Sequence, residues 1–237
     1  MRILRPIKRQ IKKRKKVEAH IKYGAPDFFK HGRTVQDRVV LDENDNPIPW
    51  VTYPCICYLK QIDFSASSVF EYGVGSSTQF WAARANQVVS VEHDEEWAGR
   101  IRALQLPRVE LLIGVGDAYV AACARGAPHN VIVIDGRWRY DCAIAALGAL
   151  SPNGMVILDN SERYPAITQH FREHGLLQVD FIGLSPMCRW LSSTSIFFSR
   201  AVELRPAKDI QPHHLAGMID SIQQNPQQEA VNKPGSF

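Results

Sequence analysis

The sequence predicts a doubly wound α/β domain whose mostly parallel sheet ends in an antiparallel hairpin. Three observations carry that prediction. Short apolar runs at 69–72, 88–91, 109–113, 131–135 and 155–159 alternate with helical stretches, the pattern of strands buried on both faces. The first run enters a glycine-broken turn, Glu71-Tyr-Gly73-Val-Gly75-Ser76, just where a helix begins. The last two runs, 178–184 and 194–199, are joined by residues 185–193 alone, too few for a helical crossover, so they must pair antiparallel.

Taken in order, residues 50–62 read as an apolar-faced helix or strand carrying Trp50, Tyr53 and Tyr58. Strand 69–72 leads to a helix over 76–86, with Ser76 or Ser77 as its N-cap. Strand 88–92 leads to a helix over 94–104, and strand 109–113 to the turn Gly114-Val-Gly116-Asp117 and a helix over 118–125. Strand 131–135 feeds a helix over 140–150, and strand 155–159 one over 164–174. Beyond Arg200 the chain turns rich in Pro and Gln, which predicts one short helix over 211–224 and a disordered end. The division expected is a basic extension over 1–40, the α/β domain over 41–202 and a tail over 203–237.

Composition narrows the classes. With 237 residues and 45% apolar content, the chain can bury one substantial core. No apolar run approaches the roughly 20 residues of a membrane span, and the N-terminus lacks the apolar core of a secretory signal. Five cysteines, an odd number without paired zinc spacing, favour a reduced, cytoplasmic setting. Residues 1–22 hold ten Lys/Arg against one acid, a net +9, while the remainder carries −5. Such an arm reads equally as a solvated tail or as a contact for an anionic membrane surface or nucleic acid. The run Asp42-Glu-Asn44-Asp-Asn46 superficially resembles a calcium loop, but it lacks the central glycine, and Tyr53 stands where the bidentate acid belongs.

Ligands of doubly wound sheets sit beyond the carboxyl ends of the strands. Here those ends present Glu71 to Ser76, Glu92-His93, Gly116-Asp117, Asp135 to Tyr140 and Asp159 to Tyr164. An acid at every end favours a cationic or hydroxyl-rich ligand over simple helix capping. Glu92 falls nineteen residues beyond Gly73, where a βαβ unit offers a carboxylate to a ribose diol; the alternative is that it merely opens the acidic turn 93–96. Thr78 stands where a dinucleotide fingerprint has its third glycine, which fits a nucleoside without phosphates better than NAD.

From Pro49 to Arg200 these residues resemble class I S-adenosylmethionine-dependent methyltransferases, a Rossmann-like fold with a seven-stranded sheet and a reversed seventh strand. The resemblance implies that Glu71, Gly73, Gly75, Ser76, Glu92, His93, Asp117 and Asp135 bind S-adenosyl-L-methionine. The stretches Trp50-Val-Thr-Tyr53-Pro54, Ser90-Val-Glu92-His-Asp94-x-x-Trp97, Asp135-Gly136-Arg137 and Asp159-Asn160-Ser161-Glu-Arg163-Tyr164 look like a bacterial subgroup of poorly defined substrates. No Asn/Asp-Pro-Pro-Tyr motif follows the fourth strand, which argues against methylation of base nitrogens.

The expected chemistry is O-methylation of a small molecule or saccharide, with Asp135 and Asp159 as catalytic residues. Asp135, Asp159 and Asn160 are also hard oxygen donors suited to Mg²⁺, similar to the set in catechol-type O-methyltransferases; on the other reading Asp135 touches the cofactor while Asp159 and Asn160 cap a helix. Arg137, Trp138, Arg163, Tyr164 and Trp190 are expected to ring the acceptor. His170 and His174 lie on a polar helix without a third ligand and read as surface residues. Two other classes stay open: a nicotinamide-dependent oxidoreductase, and a non-catalytic nucleic-acid or membrane-surface protein on the same scaffold.

Overall fold

Successive side chains of a strand point to opposite faces, and here both faces are apolar, so one sheet divides two cores. The computed structural model describes residues 29–208. Its strands are β1 (Ser68–Tyr72), β2 (Gln87–Glu92), β3 (Val109–Ile113), β4 (His129–Ile134), β5 (Leu150–Asp159), β6 (Leu177–Gly183) and β7 (Ser192–Phe198). The helices are α1 (His31–Asp37), α2 (Tyr53–Leu59), α3 (Ser76–Ala82), α4 (Glu95–Arg102), α5 (Asp117–Ala121), α6 (Arg139–Ala149) and α7 (Pro165–Glu173). Strand order is β3-β2-β1-β4-β5-β7-β6. Strands β1 to β5 run parallel, and β7 enters antiparallel between β5 and β6. This is a doubly wound, Rossmann-like sheet of seven strands, mostly parallel and closed by an antiparallel hairpin, as the sequence predicts.

Val69, Val131, Val133, Met155 and Ile157 join Ile56, Leu59, Phe80 and Trp81 on one face. Phe70, Ile132, Ile134, Val156 and Leu158 join Tyr119, Ala143, Ala146 and Phe171 on the other. Each such side chain contributes about 1.5–3 kcal/mol by leaving water, so the strand ends are held on a rigid base. Small residues Ala143, Ala146 and Ala149 let α6 lie close to the sheet.

Several boundaries differ from expectation. Within residues 50–62 only Tyr53–Leu59 is regular, as the helix α2, with Pro54 in its first turn where a missing N–H costs nothing. Helix α3 stops at Ala82, because Asn86 and Gln87 already donate to Ser67 O to start β2. Its N-cap is Gly75, and neither Ser76 nor Ser77 caps it. Strand β5 starts at Leu150, straight from α6. It can do so because Gly154 lies where a Cβ would stand 2.9 Å from Asn130 O.

Packing also begins before residue 41. Phe29 stacks on Tyr53 with centroids 4.1 Å apart, and the buried Thr34 hydroxyl accepts the Met187 N–H at 3.0 Å. At the other end, Arg205 O accepts from Asp63 N, and Ala207 N donates to Gln61 O, so residues up to 207 run alongside the entry to β1. The basic arm 1–22 and the expected helix 211–224 lie outside the described residues. Asp42 serves as a turn anchor, accepting from Asn44 N, Asn46 N and Lys60 Nζ. All five cysteines are free; on α2, Cys55 is buried and Cys57 half-buried, so the two do not share a face. Among the described residues no helix is long and apolar enough to cross a membrane.

Candidate active site

A cleft of about 860 Å³ opens over the carboxyl ends of β1, β2, β4 and β5 and is closed on one side by the β6–β7 loop. That volume lies within the roughly 300–1,000 Å³ typical of small-molecule sites. Its floor exists because two turns meet through glycines. Gly73 has φ +91°, a conformation that side chains disfavour, and a Cβ there would stand 3.3 Å from Gly136 Cα. A Cβ on Gly136 would fall 1.9 Å from the hydroxyl of buried Tyr119.

Beneath the first turn lies Glu71, only 1% exposed. The hydroxyls of Thr78 and Ser90 both donate to its Oε2, at 2.6 and 3.0 Å. Burial pushes this carboxyl up to about 7, against the pull of the Ser77, Thr78 and Ser90 hydroxyls. The cleft wall is formed instead by Gly73, Val74 and Ser77. Glu71 therefore sits behind the turn, and Gly75 and Ser76 are likewise not among the lining residues. Thr78 has a role that its reading as a lost glycine did not reveal: its Oγ1 also accepts the Gly75 N–H at 3.0 Å, welding turn to strand.

Glu92, at the end of β2, does line the cleft. Its Oε1 accepts the backbone N–H groups of His93 and Asp94 at 2.8 and 3.0 Å, and lies 2.6 Å from His93 Nδ1. Its Oε2 accepts the Val74 N–H at 3.1 Å. A carboxylate offers about four lone-pair sites, so Oε2 keeps capacity for one hydroxyl donor from the cleft. The turn that follows is fixed by Asp94, which accepts the Trp97 N–H, and by Trp97 Nε1, which donates to Val74 O. The imidazole of His93 packs edge-on to Trp138 at 6.0 Å and to Tyr119 at 6.4 Å. Asp117 is exposed at the start of α5, outside the lining residues.

On the opposite wall, Asp135 follows β4 and Asp159 ends β5, adjacent through the pairing of Ile134 with Leu158. Burial raises the Asp135 carboxyl well above its ordinary range, and the Asp159 charge adds to it. Burial likewise lifts Asp159 to about 6, while the Thr194 hydroxyl, Arg139 and the Asn160 N–H pull the other way. Thr194 Oγ1 donates to Asp159 Oδ1 at 2.7 Å. Asn160 lines the cleft with left-handed backbone, φ 53°, ahead of a short 3-10 turn, Ser161–Arg163.

Arg139, the first residue of α6, spans these two strand ends. It donates from Nε to Gly136 O at 3.0 Å, from Nη2 to Asp135 O at 3.1 Å and to Asp135 Oδ1 at 2.8 Å, and from Nη1 to Asp159 O. Its guanidinium also lies over the Tyr164 ring, 5.1 Å from the centroid. The expected Mg²⁺ site does not fit this arrangement. Asp135 already holds a cation, Asp159 Oδ1 is taken by Thr194, and three carbonyl oxygens beside them are spent on the same guanidinium. Among the described residues no group of three or more His, Cys, Asp or Glu is placed to hold a metal.

Around the mouth stand Trp50, Trp138, Trp190, Tyr164, Arg137 and Arg163, which brings together all the expected acceptor residues. Arg163 pairs with Glu162 at 3.3 Å; Arg137 is exposed and has no ion pair among the described residues. His170 and His174 lie apart from the cleft, their rings 4.3 Å from each other on α7.

The sequence matches no family model and none of the curated proteins. Among the solved structures to which it is similar are three methyltransferases of distinct kinds. One is precorrin-6y C5,15-methyltransferase from Geobacter metallireducens, at 12% identity over 69% of this chain and 96% of that one, TM-score 0.48. Another is an rRNA methylase from Streptococcus thermophilus, at 14% identity over 64% and 99%, TM-score 0.46. The third is the N-methyltransferase NodS from Bradyrhizobium japonicum, at 13% identity over 56% and 85%, TM-score 0.43. The assignment of the fold rests on strand order and register, not on these likenesses.

Proposed function

We propose that the chain is an S-adenosylmethionine-dependent methyltransferase that methylates an oxygen of a small molecule or saccharide. The observation that carries this reading is Glu92: a carboxylate at the end of β2, held by three backbone N–H groups, lining the cleft with acceptor capacity left on Oε2. This is a prepared acceptor for a ribose hydroxyl. When bound, S-adenosylmethionine supplies an electrophilic methyl group on a sulfonium centre.

The chain's own residues would perform the remaining work. Gly73 lets its wall approach the ligand without a side chain, and the carboxyl groups around the cleft favour a cationic occupant over an anionic one. Asp159, near 6, is basic enough to hold a hydroxyl proton yet is ionised at neutral pH, which suits a general base. Asp135, tied to Arg139, orients that wall. The exposed tryptophans offer flat faces to a ring, and Arg137 offers an unpaired cation to an anionic substituent.

A nicotinamide dinucleotide is disfavoured by one contact. The Gly75 N–H, at the start of α3 where a diphosphate would be cradled, is donated to Thr78 instead. Calorimetric titration with S-adenosylhomocysteine and, separately, with NAD tests the choice: binding of the first alone is expected, and binding of NAD alone would overturn it.

A further inference from the structure

We infer that Arg139 is the resident cation of this site, occupying the place that a divalent metal would take between Asp135 and Asp159. The guanidinium makes four hydrogen bonds there, to the Asp135 carboxylate and to the carbonyl oxygens of Asp135, Gly136 and Asp159. It thereby occupies one Asp135 carboxylate oxygen and three carbonyl oxygens at the two strand ends, and sets a positive charge where Mg²⁺ would have to approach. Its side chain is largely buried beneath Tyr164, so it is not a surface arginine free to swing aside. An arginine is charged at every accessible pH, and its planar fork suits two neighbouring acceptors where a lysine would serve only as a point charge.

Two charges explain the geometry. Two acidic strand ends in one crevice repel each other, and one permanent cation makes the crevice tolerable without solvent or an ion. Arg139 is in this sense a positioning residue: it pairs with the Asp135 carboxylate and ties the backbone of the two strand ends together. The consequence for an acceptor hydroxyl, that it is deprotonated by a carboxylate without metal, rests on the methyl-transfer reading; the placing of the guanidinium does not.

The test is binding of Mn²⁺, followed by its electron paramagnetic resonance signal, to the full chain and to Arg139→Ala and Arg139→Lys. The unaltered protein is expected to take up no Mn²⁺ at 1 mM, on the order of the weakest useful site. Arg139→Ala, which frees the Asp135 carboxylate and three carbonyl oxygens, is expected to bind at least about tenfold more tightly, and Arg139→Lys, which keeps the charge, to bind none. Added guanidinium chloride at low millimolar concentration is expected to abolish the uptake gained by Arg139→Ala.

Uptake by the unaltered protein that Asp135→Asn abolishes would overturn the inference. So would a folded Arg139→Ala that gains none. If Arg139→Ala does not fold, the unaltered protein and Arg139→Lys still decide, since either one binding Mn²⁺ through Asp135 contradicts the claim. Failure to bind S-adenosylhomocysteine in a protein that also refuses Mn²⁺ would remove the methyl-transfer reading and leave the role of Arg139 standing.

Discussion

Gly73 and Gly136 face one another across the ends of β1 and β4, so close that a Cβ on the first would stand 3.3 Å from the Cα of the second. The contact fixes the distance between the wall that carries Glu92 and the wall that carries Asp135. Neither turn can take a side chain without moving the other, or moving Tyr119 below.

Gly136→Ala tests this relationship. The new methyl group would overlap the hydroxyl of Tyr119, a fully buried side chain. Overpacking of this kind costs about 1–3 kcal/mol. Urea unfolding should show that loss, and Gly136→Ala combined with Tyr119→Phe should recover part of it. Equal losses in the single and double variants would contradict the contact.

Glu71 makes a prediction about pH. Its folded value of about 7 lies above its ordinary 4.5, so the protonated form is favoured by folding. The stabilisation is full below pH 4.5 and is lost as pH rises through 7. At about 1.4 kcal/mol per unit, the contribution is about 3 kcal/mol at most. Glu71→Gln stays neutral throughout and keeps an acceptor for Thr78 and Ser90. Its stability should fall less than that of the unaltered protein between pH 5 and 8, measured by urea midpoints. An unchanged slope would show that the carboxyl does not titrate there.

Asp159 should govern the pH dependence of turnover. Its carboxyl sits near 6 and its charge acts on Asp135 in the same crevice, so the apparent value belongs to the pair. The rate should rise with pH through about 6 and level off above it. Asp159→Asn keeps an acceptor for the Thr194 hydroxyl but cannot hold a proton. It should lower kcat by about 10²–10⁴ while leaving affinity for S-adenosylhomocysteine within about threefold. A proportional loss of both would mean that Asp159 serves the cofactor or the fold instead.

Much of this was legible in the chain because both signals involved are local. Apolar runs of four or five residues spaced by helical stretches gave the parallel sheet, and the short link between the last two strands, eight residues in the structure, forced their antiparallel pairing. Glu92, Asp135 and Asp159 could be placed because a strand end is also a cleft edge in such a sheet. What escaped notice depends on register. Glu71 turned beneath the turn because it pairs across β2 with Ser90 and across α3 with Thr78, a packing that spacing alone does not reveal. Tyr119 carries no motif, and its position under Gly136 is set by how α5 packs. The hold of Arg139 on Asp159 joins residues twenty positions apart, whereas Asp-Asn after a strand reads as a metal pair until that guanidinium is seen.

The most direct measurement is calorimetric titration of S-adenosylhomocysteine into the full chain and into Glu92→Ala, without added metal. Glu92 supplies a charged hydrogen bond, worth about 1.5–3 kcal/mol, so the variant should bind about 10- to 150-fold more weakly than the unaltered protein. Equal affinity in the two proteins, or no heat of binding in either, would contradict the nucleoside site on which the account depends.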